Sequence, residues 1–440
     1  MASQKDPKRE YYEQSADKDF VKKYPYLKQD NSGQWYLYEN GVYNLQSDDS
    51  MRNRMLAFFE EKSLFQYRTK KHASDKLACA SSLIDSSDFN PDQDPDIINL
   101  KNGLYSISMR KLYPHTPEYV SITQIDTEYL PDAKAERWEQ FIDEITLGNK
   151  AQGRLLRQFA GYALTRDTSY QKAFMFDGEG SNGKSVFAKV MKELLKRSCS
   201  NVSLEQINDH FGASSLFGKT LNIVEEIKES YYHSDVLKKF ISGEPVSVSM
   251  KYRDNLEFIP TTKFLFCVNQ VPRLSDTSTG SYRRFIIVPF NAKFGKGGSP
   301  ADPHLFSTLK NELPGVLNWA LAGLDDLHAE GRFTETEENE EAMKSYMYEN
   351  SPLREMIRDF FIQEETARMD RDMFYEQYKN FVANHGGKPR GMQSMLRELR
   401  VLGFETDVAK TTRGCREYEV IGLKPAVAIR DNRYAVINEG

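Results

Sequence analysis

Cysteine is scarce and scattered in this chain. Four residues, Cys79, Cys199, Cys267 and Cys415, stand far apart among 440, and none forms a C-x-x-C pair. That spacing supports neither a zinc ribbon nor a disulfide framework, and it predicts reduced thiols in a cytoplasmic setting. The seven histidines show no H-E-x-x-H or similar ligand spacing. Long hydrophobic runs are missing too. Stretches such as Phe264-Leu265-Phe266-Cys267-Val268 fall far short of the ~18 residues a membrane span needs. The first ten residues lack the apolar core of a signal peptide, so neither secretion nor a membrane span is expected. Charge of one sign is not in large excess either: 59 basic against 64 acidic residues gives −5. With 39% hydrophobic and 28% charged residues, the composition is that of a folded chain with a real core. At ~150 residues per domain, the length suggests about three domains.

Composition separates the chain into zones. Residues 1–145 read as an α+β domain. Trp35-Tyr36-Leu37-Tyr38 and Val42-Tyr43-Asn44-Leu45 flank Asn40-Gly41, a pair suited to the positive φ angles of a type I′ hairpin turn. Residues 146–333 alternate short apolar strands with helices, which predicts an α/β sheet covered on both faces. The predicted strands are Ala173–Phe176, Leu221–Val224, Lys263–Val268 and Arg284–Val288, with a helix over Val186–Arg197. The acidic run Glu335 to Glu341 opens a linker or solvated helix at 334–351. Residues 352–440 read as three helices (Pro352–Glu364, Met373–Asn384, Gly391–Leu402) followed by two strands, the pattern of a winged helix-turn-helix.

The strongest chemical signal is Gly178-Glu179-Gly180-Ser181-Asn182-Gly183-Lys184-Ser185, which fits G-x-x-x-x-G-K-[ST] between a predicted strand and helix. Glycines let backbone N–H groups wrap phosphates, and the helix N-terminus adds its positive end. Lys184 is expected on the β- and γ-phosphates and Ser185 on Mg²⁺. About forty residues on, Leu221–Val224 ends in Glu225-Glu226, a source of one metal-shell carboxylate and one water-polarising carboxylate. Lys263–Val268 ends in Asn269, either a γ-phosphate or water contact or a turn residue before Val271-Pro272. Arg283-Arg284 is either an arginine finger for a neighbouring subunit or a surface charge pair. Between the second and third strands, Val246 to Phe258 reads as a hairpin whose tip carries Lys251, Tyr252 and Arg253, cations beside a stackable ring.

In that order, the motifs resemble those of superfamily 3 helicases, closest to the helicase part of phage, plasmid and poxvirus primase-helicases. Gly218 to Ile227 looks like that family's second motif, Leu237 to Glu244 leading to Lys251-Tyr252 like its own specific motif, and Phe266 to Pro272 like its sensor. Ile98 to Tyr105 and Trp138 to Phe141 are similar to the small domain before the motor. The resemblance covers roughly residues 30 to 330. It implies an AAA+ P-loop motor, usually hexameric, that hydrolyses ATP with Mg²⁺ between subunits and translocates on single-stranded DNA in the cytoplasm of a host cell. Glu226 then fits the metal role better than Glu225, and Arg284 fits the finger better than Arg283. No primase-like acid cluster is identified ahead of the motor, so the expectation is either a stand-alone helicase or part of a longer primase-helicase, with a primase, polymerase or initiator as a candidate partner.

From Lys388 to Arg416 there are seven basic residues (388, 390, 397, 400, 410, 413, 416) against three acidic ones, an excess of 7 − 3 = +4. Arg397, Arg400, Lys410 and Arg413 are thus candidates for contacting fork or origin duplex. The function these features predict is a ring-forming, ATP-dependent DNA helicase in replication of a phage or mobile element. The alternative is an ATP-switched origin-binding initiator without processive unwinding. A small-molecule P-loop kinase leaves the basic hairpin and the tail without a purpose.

Overall fold

The computed structural model describes residues 6–209, 212–225, 235–249, 256–269, 271–272, 279–296, 298–385, 389–412, 415–430 and 433–436. At its centre lies a parallel sheet of five strands: β1 (Ala173–Asp177), β2 (Cys199–Ser200), β3 (Leu221–Val224), β4 (Lys263–Val268) and β5 (Phe285–Pro289). Their spatial order is β5-β1-β4-β3-β2. Alternate side chains on β1, β3, β4 and β5 enter two separate cores. Phe174, Phe176, Ile223, Leu265, Cys267 and Val288 pack on one face, while Met175, Val224, Phe264, Phe266 and Ile287 pack on the other. Burial on both faces is why these strands read as continuous apolar runs rather than as alternations. Helices Glu136–Ile145, Lys150–Leu164, Lys184–Leu195 and Leu313–Glu330 share the first core, around Trp138, Phe159 and Phe187. The whole is a mixed α/β fold with a parallel sheet flanked by helices.

The N-terminal part has its own core of Phe20, Met55, Phe58, Phe59 and Leu77. Its three-stranded sheet turns at Asn40 (φ 55°) and Gly41 (φ 82°), as the Asn-Gly pair predicts. This part is seated on the sheet-bearing part through Asp92. The buried Asp92 carboxylate accepts from Thr123 Oγ1 at 3.1 Å and is ion-paired with Arg166.

Beyond helix Leu313–Glu330, Thr336 caps helix Glu337–Glu349 by accepting from Asn339 N at 3.1 Å. The acidic run is therefore the first turn of a helix, where negative charge opposes the positive dipole end. The C-terminal part runs helix Pro352–Phe360, strand Phe361–Asp370, helix Arg371–Asn384, helix Met392–Val401, then strands Glu405–Thr412 and Cys415–Pro425. Strand Phe361–Asp370 replaces the last turn expected of a helix reaching Glu364. It pairs antiparallel with Cys415–Pro425, which lies in the middle of the three-stranded sheet.

Candidate functional site

Strand β1 delivers the chain at Asp177, and residues Gly178–Gly183 turn it into helix Lys184–Leu195. The turn needs glycine at two points. Gly178 has φ 154°, and a Cβ there would stand 2.3 Å from Asn182 Nδ2 and 2.7 Å from the Phe290 carbonyl oxygen. Gly183 has φ 94° and caps the helix; a Cβ there would stand 2.3 Å from Ile145 Cγ2. The segment following β5 braces the loop. Phe290 N donates to Asp177 O at 2.7 Å, Asn182 Nδ2 donates to Phe290 O at 3.2 Å, and Phe294 N donates to Ser181 O at 2.8 Å.

Lys184 is buried, and its ammonium donates to the carbonyl of Gly178 within the same loop. Burial pushes its pKa down, opposed by Cys267 and Asp177. Burial likewise raises the Asp177 carboxyl, and the neighbouring Lys184 pulls it back. A cation held by one carbonyl, beside a glycine loop and a helix N-terminus, is an arrangement suited to a polyanion. Ser185, the second residue of the helix, is exposed, as are Glu179 and Gly180.

Register brings the other strand tips to the same edge. Val268 of β4 lies opposite Asp177, and Phe266 lies opposite Val224 of β3. Asn269 and Glu225 therefore emerge beside the loop, and both are exposed. Glu225 accepts a hydrogen bond from Lys192 Nζ at 2.7 Å. Glu226 lies outside the described residues. Among those described, no group of three or more His, Cys, Asp or Glu side chains could hold a metal ion by itself.

The arginine pair sits at the opposite edge of the sheet. Phe285 pairs with Ala173 at the start of β1, while Pro289 pairs with Asp177 at its end. At ~3.3 Å per residue, Arg284 begins roughly 13 Å or more from its own glycine loop. Arg284 Nε donates to Ser242 Oγ at 3.2 Å and its Nη1 donates to the Gly280 carbonyl, whereas Arg283 is exposed. Lys172 Nζ donates to the Arg283 carbonyl at 2.6 Å and fixes the backbone there.

A cavity of about 580 Å³ adjoins the loop at Ser181 and Gly183. Its apolar walls are Phe141, Leu147, Val186, Phe294 and Leu305. The sequence reading missed this wall, because its residues come from helix Glu136–Ile145, the following turn, helix Lys184–Leu195, the segment after β5 and the start of helix Leu305–Lys310, which only the fold brings together. One signal was available: Leu147 is a leucine in a turn, with φ 52° and 69% of its surface exposed.

Strands Val246–Val248 and Leu256–Phe258 do pair antiparallel, but Lys251, Tyr252 and Arg253 at the tip lie outside the described residues. Arg397 and Arg400 are exposed on helix Met392–Val401, and Arg400 Nε donates to Thr406 Oγ1 at 2.7 Å. Lys410 lies on strand Glu405–Thr412, and Arg413 is outside the described residues.

The profile of a family described as D5 N terminal like matches residues 22–147, and that of a family of unknown function (DUF5906) matches residues 176–284. Each spans less than half of the chain. The chain is 22% identical over 226 residues to a putative helicase of Acanthamoeba polyphaga mimivirus, covering 47% of this chain and 23% of that protein. It thus spans less than a quarter of that relative's length. The A form apo structure of the NrS-1 C terminal region matches with a TM-score of 0.52 at 12% identity, over 93% of this chain and 99% of that one. The two share a fold. Among the described residues, no helix is long and apolar enough to cross a membrane.

Proposed function

We propose that this chain is a DNA helicase of the superfamily 3 type, an AAA+ motor that couples ATP hydrolysis in a hexameric ring to movement along single-stranded DNA during replication. The observation that carries the reading is the convergence of Lys184, Ser185, Asn269 and Glu225 on one edge of a parallel sheet around a glycine loop. The likeness to a viral protein named a putative helicase, and to a D5-like N-terminal family, supports it.

The glycine loop and the buried Lys184 fit the triphosphate of ATP, which supplies the phosphoryl group for transfer when bound. The exposed Ser185 hydroxyl, with Glu226, is suited to the Mg²⁺ that accompanies it. Lys184 exchanges its carbonyl partner for phosphate oxygens and neutralises their charge. Asn269 orients the water, and an acid at the end of β3 takes its proton. The cavity beside Ser181 offers Phe141, Leu147 and Phe294 to the nucleobase. Arg283 and Arg284 lie too far from their own loop to serve it, so we assign one of them to the nucleotide of an adjoining subunit.

We read the C-terminal part, with its helix–strand–helix–helix–strand–strand order, as a winged helix that offers Arg397 and Arg400 to duplex. The hairpin tip at Lys251, Tyr252 and Arg253 is the single-strand contact. In this reading residues 1–145, 146–333 and 352–440 are separate domains, with 334–351 a connecting helix.

Strand displacement on a forked duplex, with and without ATP, tests the proposal. Displacement that needs ATP and is lost in Lys184→Ala supports it. ATP hydrolysis and duplex binding without displacement would instead leave an ATP-switched initiator.

A further inference from the structure

Two parts of the proposed machine lie far apart in sequence yet meet at a buried seam. Helix Glu337–Glu349 ends at Asn350, which is 6% exposed, and the next residue, Ser351 (2% exposed), caps helix Pro352–Phe360. Asn350 Nδ2 donates to the hydroxyl of Tyr282 at 3.2 Å. Tyr282 directly precedes Arg283 and is itself buried, its ring edge-on to Tyr346 with centroids 5.8 Å apart. Tyr346 donates through its hydroxyl to Pro272 O at 2.6 Å, in the segment that leaves Asn269. On the other side of the seam, Ser351 Oγ donates to the Glu398 carboxylate. Glu398 sits between Arg397 and Arg400 on the basic helix, and its second oxygen is paired with Arg390 at 3.1 Å. Two side-chain hydrogen bonds joined through the backbone thus link the basic helix to the arginine turn: Glu398 to Ser351, its chain neighbour Asn350 to Tyr282, which precedes Arg283 in the chain.

We propose that this seam couples duplex binding by the C-terminal part to the arginine turn, with Tyr282 as the positioning residue for Arg283 and Arg284; the inference rests on the motor reading above. A helix that shifts on binding phosphates moves Glu398, and through Ser351 and Asn350 it alters the hold on Tyr282. The turn is also held from the sheet-bearing part, by Lys172 Nζ on Arg283 O, by Ala173 N on Arg284 O at 2.7 Å and by the Arg284 guanidinium on Gly280 and Ser242. Coupling of this kind is reciprocal in binding free energy: if duplex changes nucleotide affinity, nucleotide changes duplex affinity by the same factor.

The test uses the full chain and Tyr282→Phe, which keeps the ring against Tyr346 and removes the hydroxyl that accepts from Asn350. ATP turnover is measured with and without a mixed-sequence duplex, and duplex affinity with and without a non-hydrolysable ATP analogue. In the unmodified chain, duplex should stimulate turnover and the analogue should tighten duplex binding. In Tyr282→Phe, analogue-free duplex affinity should stay the same, and basal turnover should fall by less than duplex-stimulated turnover. Both cross-effects should fall about fivefold, the worth of one neutral buried hydrogen bond. Asn350→Ala approaches the same bond from the other side, and adding it to Tyr282→Phe should cost the coupling nothing more. Undiminished cross-effects in both variants overturn the proposal while leaving the motor reading in place, as does an unmodified chain whose turnover ignores duplex. Loss of basal and stimulated turnover in equal proportion would make Tyr282 a purely structural support and also overturn it. An unmodified chain that hydrolyses no ATP removes the motor reading, and the seam's role with it.

Discussion

The ammonium of Lys192 lies 2.7 Å from the carboxylate of Glu225, tying the helix behind the glycine loop to the tip of β3. Both side chains are about a third exposed, so the pair adds little to stability. Its consequence is chemical. The Glu225 carboxylate already has a cation as its partner, and the proposed reading gives the metal and water work to Glu226.

The two acids should therefore behave differently. Glu226→Gln should bind ATP and slow its turnover by about 10²-fold or more, the usual loss when a general base is removed. Glu225→Gln should slow it by only a few-fold. Single-turnover hydrolysis with nucleotide binding measured in parallel separates the two, and the reverse ranking would exchange their roles.

Lys184 and Gly183 test the loop from opposite directions. Lys184→Ala removes a cation from a buried position, so the fold should persist at a similar melting temperature while ATP binding and turnover are lost. Gly183→Ala adds a methyl at φ 94° and 2.3 Å from Ile145. It should lower the melting temperature as well as nucleotide affinity. Calorimetry beside nucleotide titration distinguishes loss of chemistry from loss of shape.

Lys263 predicts a pH dependence of stability. It is 2% exposed at the start of β4, with its ammonium bonded to the Thr165 and Thr261 carbonyls and 4.8 Å from the Tyr162 ring centroid. Burial drives its pKa well below the ordinary 10.5. The unfolded chain therefore binds the extra proton between the lowered folded value and 10.5, and stability rises with pH across that window. Above about 10, buried tyrosines such as Tyr43, pushed up to about 12, act in the opposite sense. Denaturant titrations of the unmodified chain and Lys263→Met from pH 7 to 10 isolate the lysine. The unmodified chain should gain stability relative to the variant as pH rises, and parallel curves would refute the assignment.

Much of this was legible in the sequence, for reasons that can be traced. β1, β3, β4 and β5 are short because each crosses one sheet, and apolar throughout because helices cover both faces, so their limits could be read within a residue or two. Strand Phe361–Asp370 could not. Its sequence, Phe-Ile-Gln-Glu-Glu-Thr-Ala-Arg-Met-Asp, favours helix, and only pairing with residues some fifty positions away holds it extended. A register shift between Gln363 and Arg368 leaves its middle residues exposed, which erases the alternation that marks a strand. At the site, the loop and strand tips were readable because their chemistry is local. The cavity wall, the Lys192–Glu225 pair and the seam at Tyr282 and Asn350 were not, because each joins segments that only the fold brings together.

The basic helix gives a prediction in salt dependence. Arg397 and Arg400 are three residues apart and share a helix face. Replacing both by alanine should weaken duplex binding and lower the slope of log affinity against log salt by about 0.9 per lost phosphate contact. Unchanged slope and affinity would remove duplex binding from this helix. ATP turnover without DNA should be unaffected.

The arginine pair allows the strictest test, because it concerns assembly as well as chemistry. Arg284 is the sequence-based choice for the finger, but its guanidinium is bonded to Gly280 and Ser242 of its own chain, while Arg283 is exposed. If Arg283 completes the neighbouring site, Arg283→Ala should bind ATP through an intact loop yet lose about 10³-fold or more in turnover. Arg284→Ala should then act indirectly, by loosening the turn, and should cost both turnover and thermal stability. Mixing Arg283→Ala with Lys184→Ala provides the decisive measurement. Neither variant turns over alone, but a mixed ring contains interfaces that pair an intact Lys184 with an intact Arg283. Turnover should return to a fraction of the unmodified level once subunits have exchanged. Full turnover by Arg283→Ala alone would return the finger to Arg284. Full turnover by both single variants would end the shared-site reading, because the strand register holds either arginine too far from its own loop to act there.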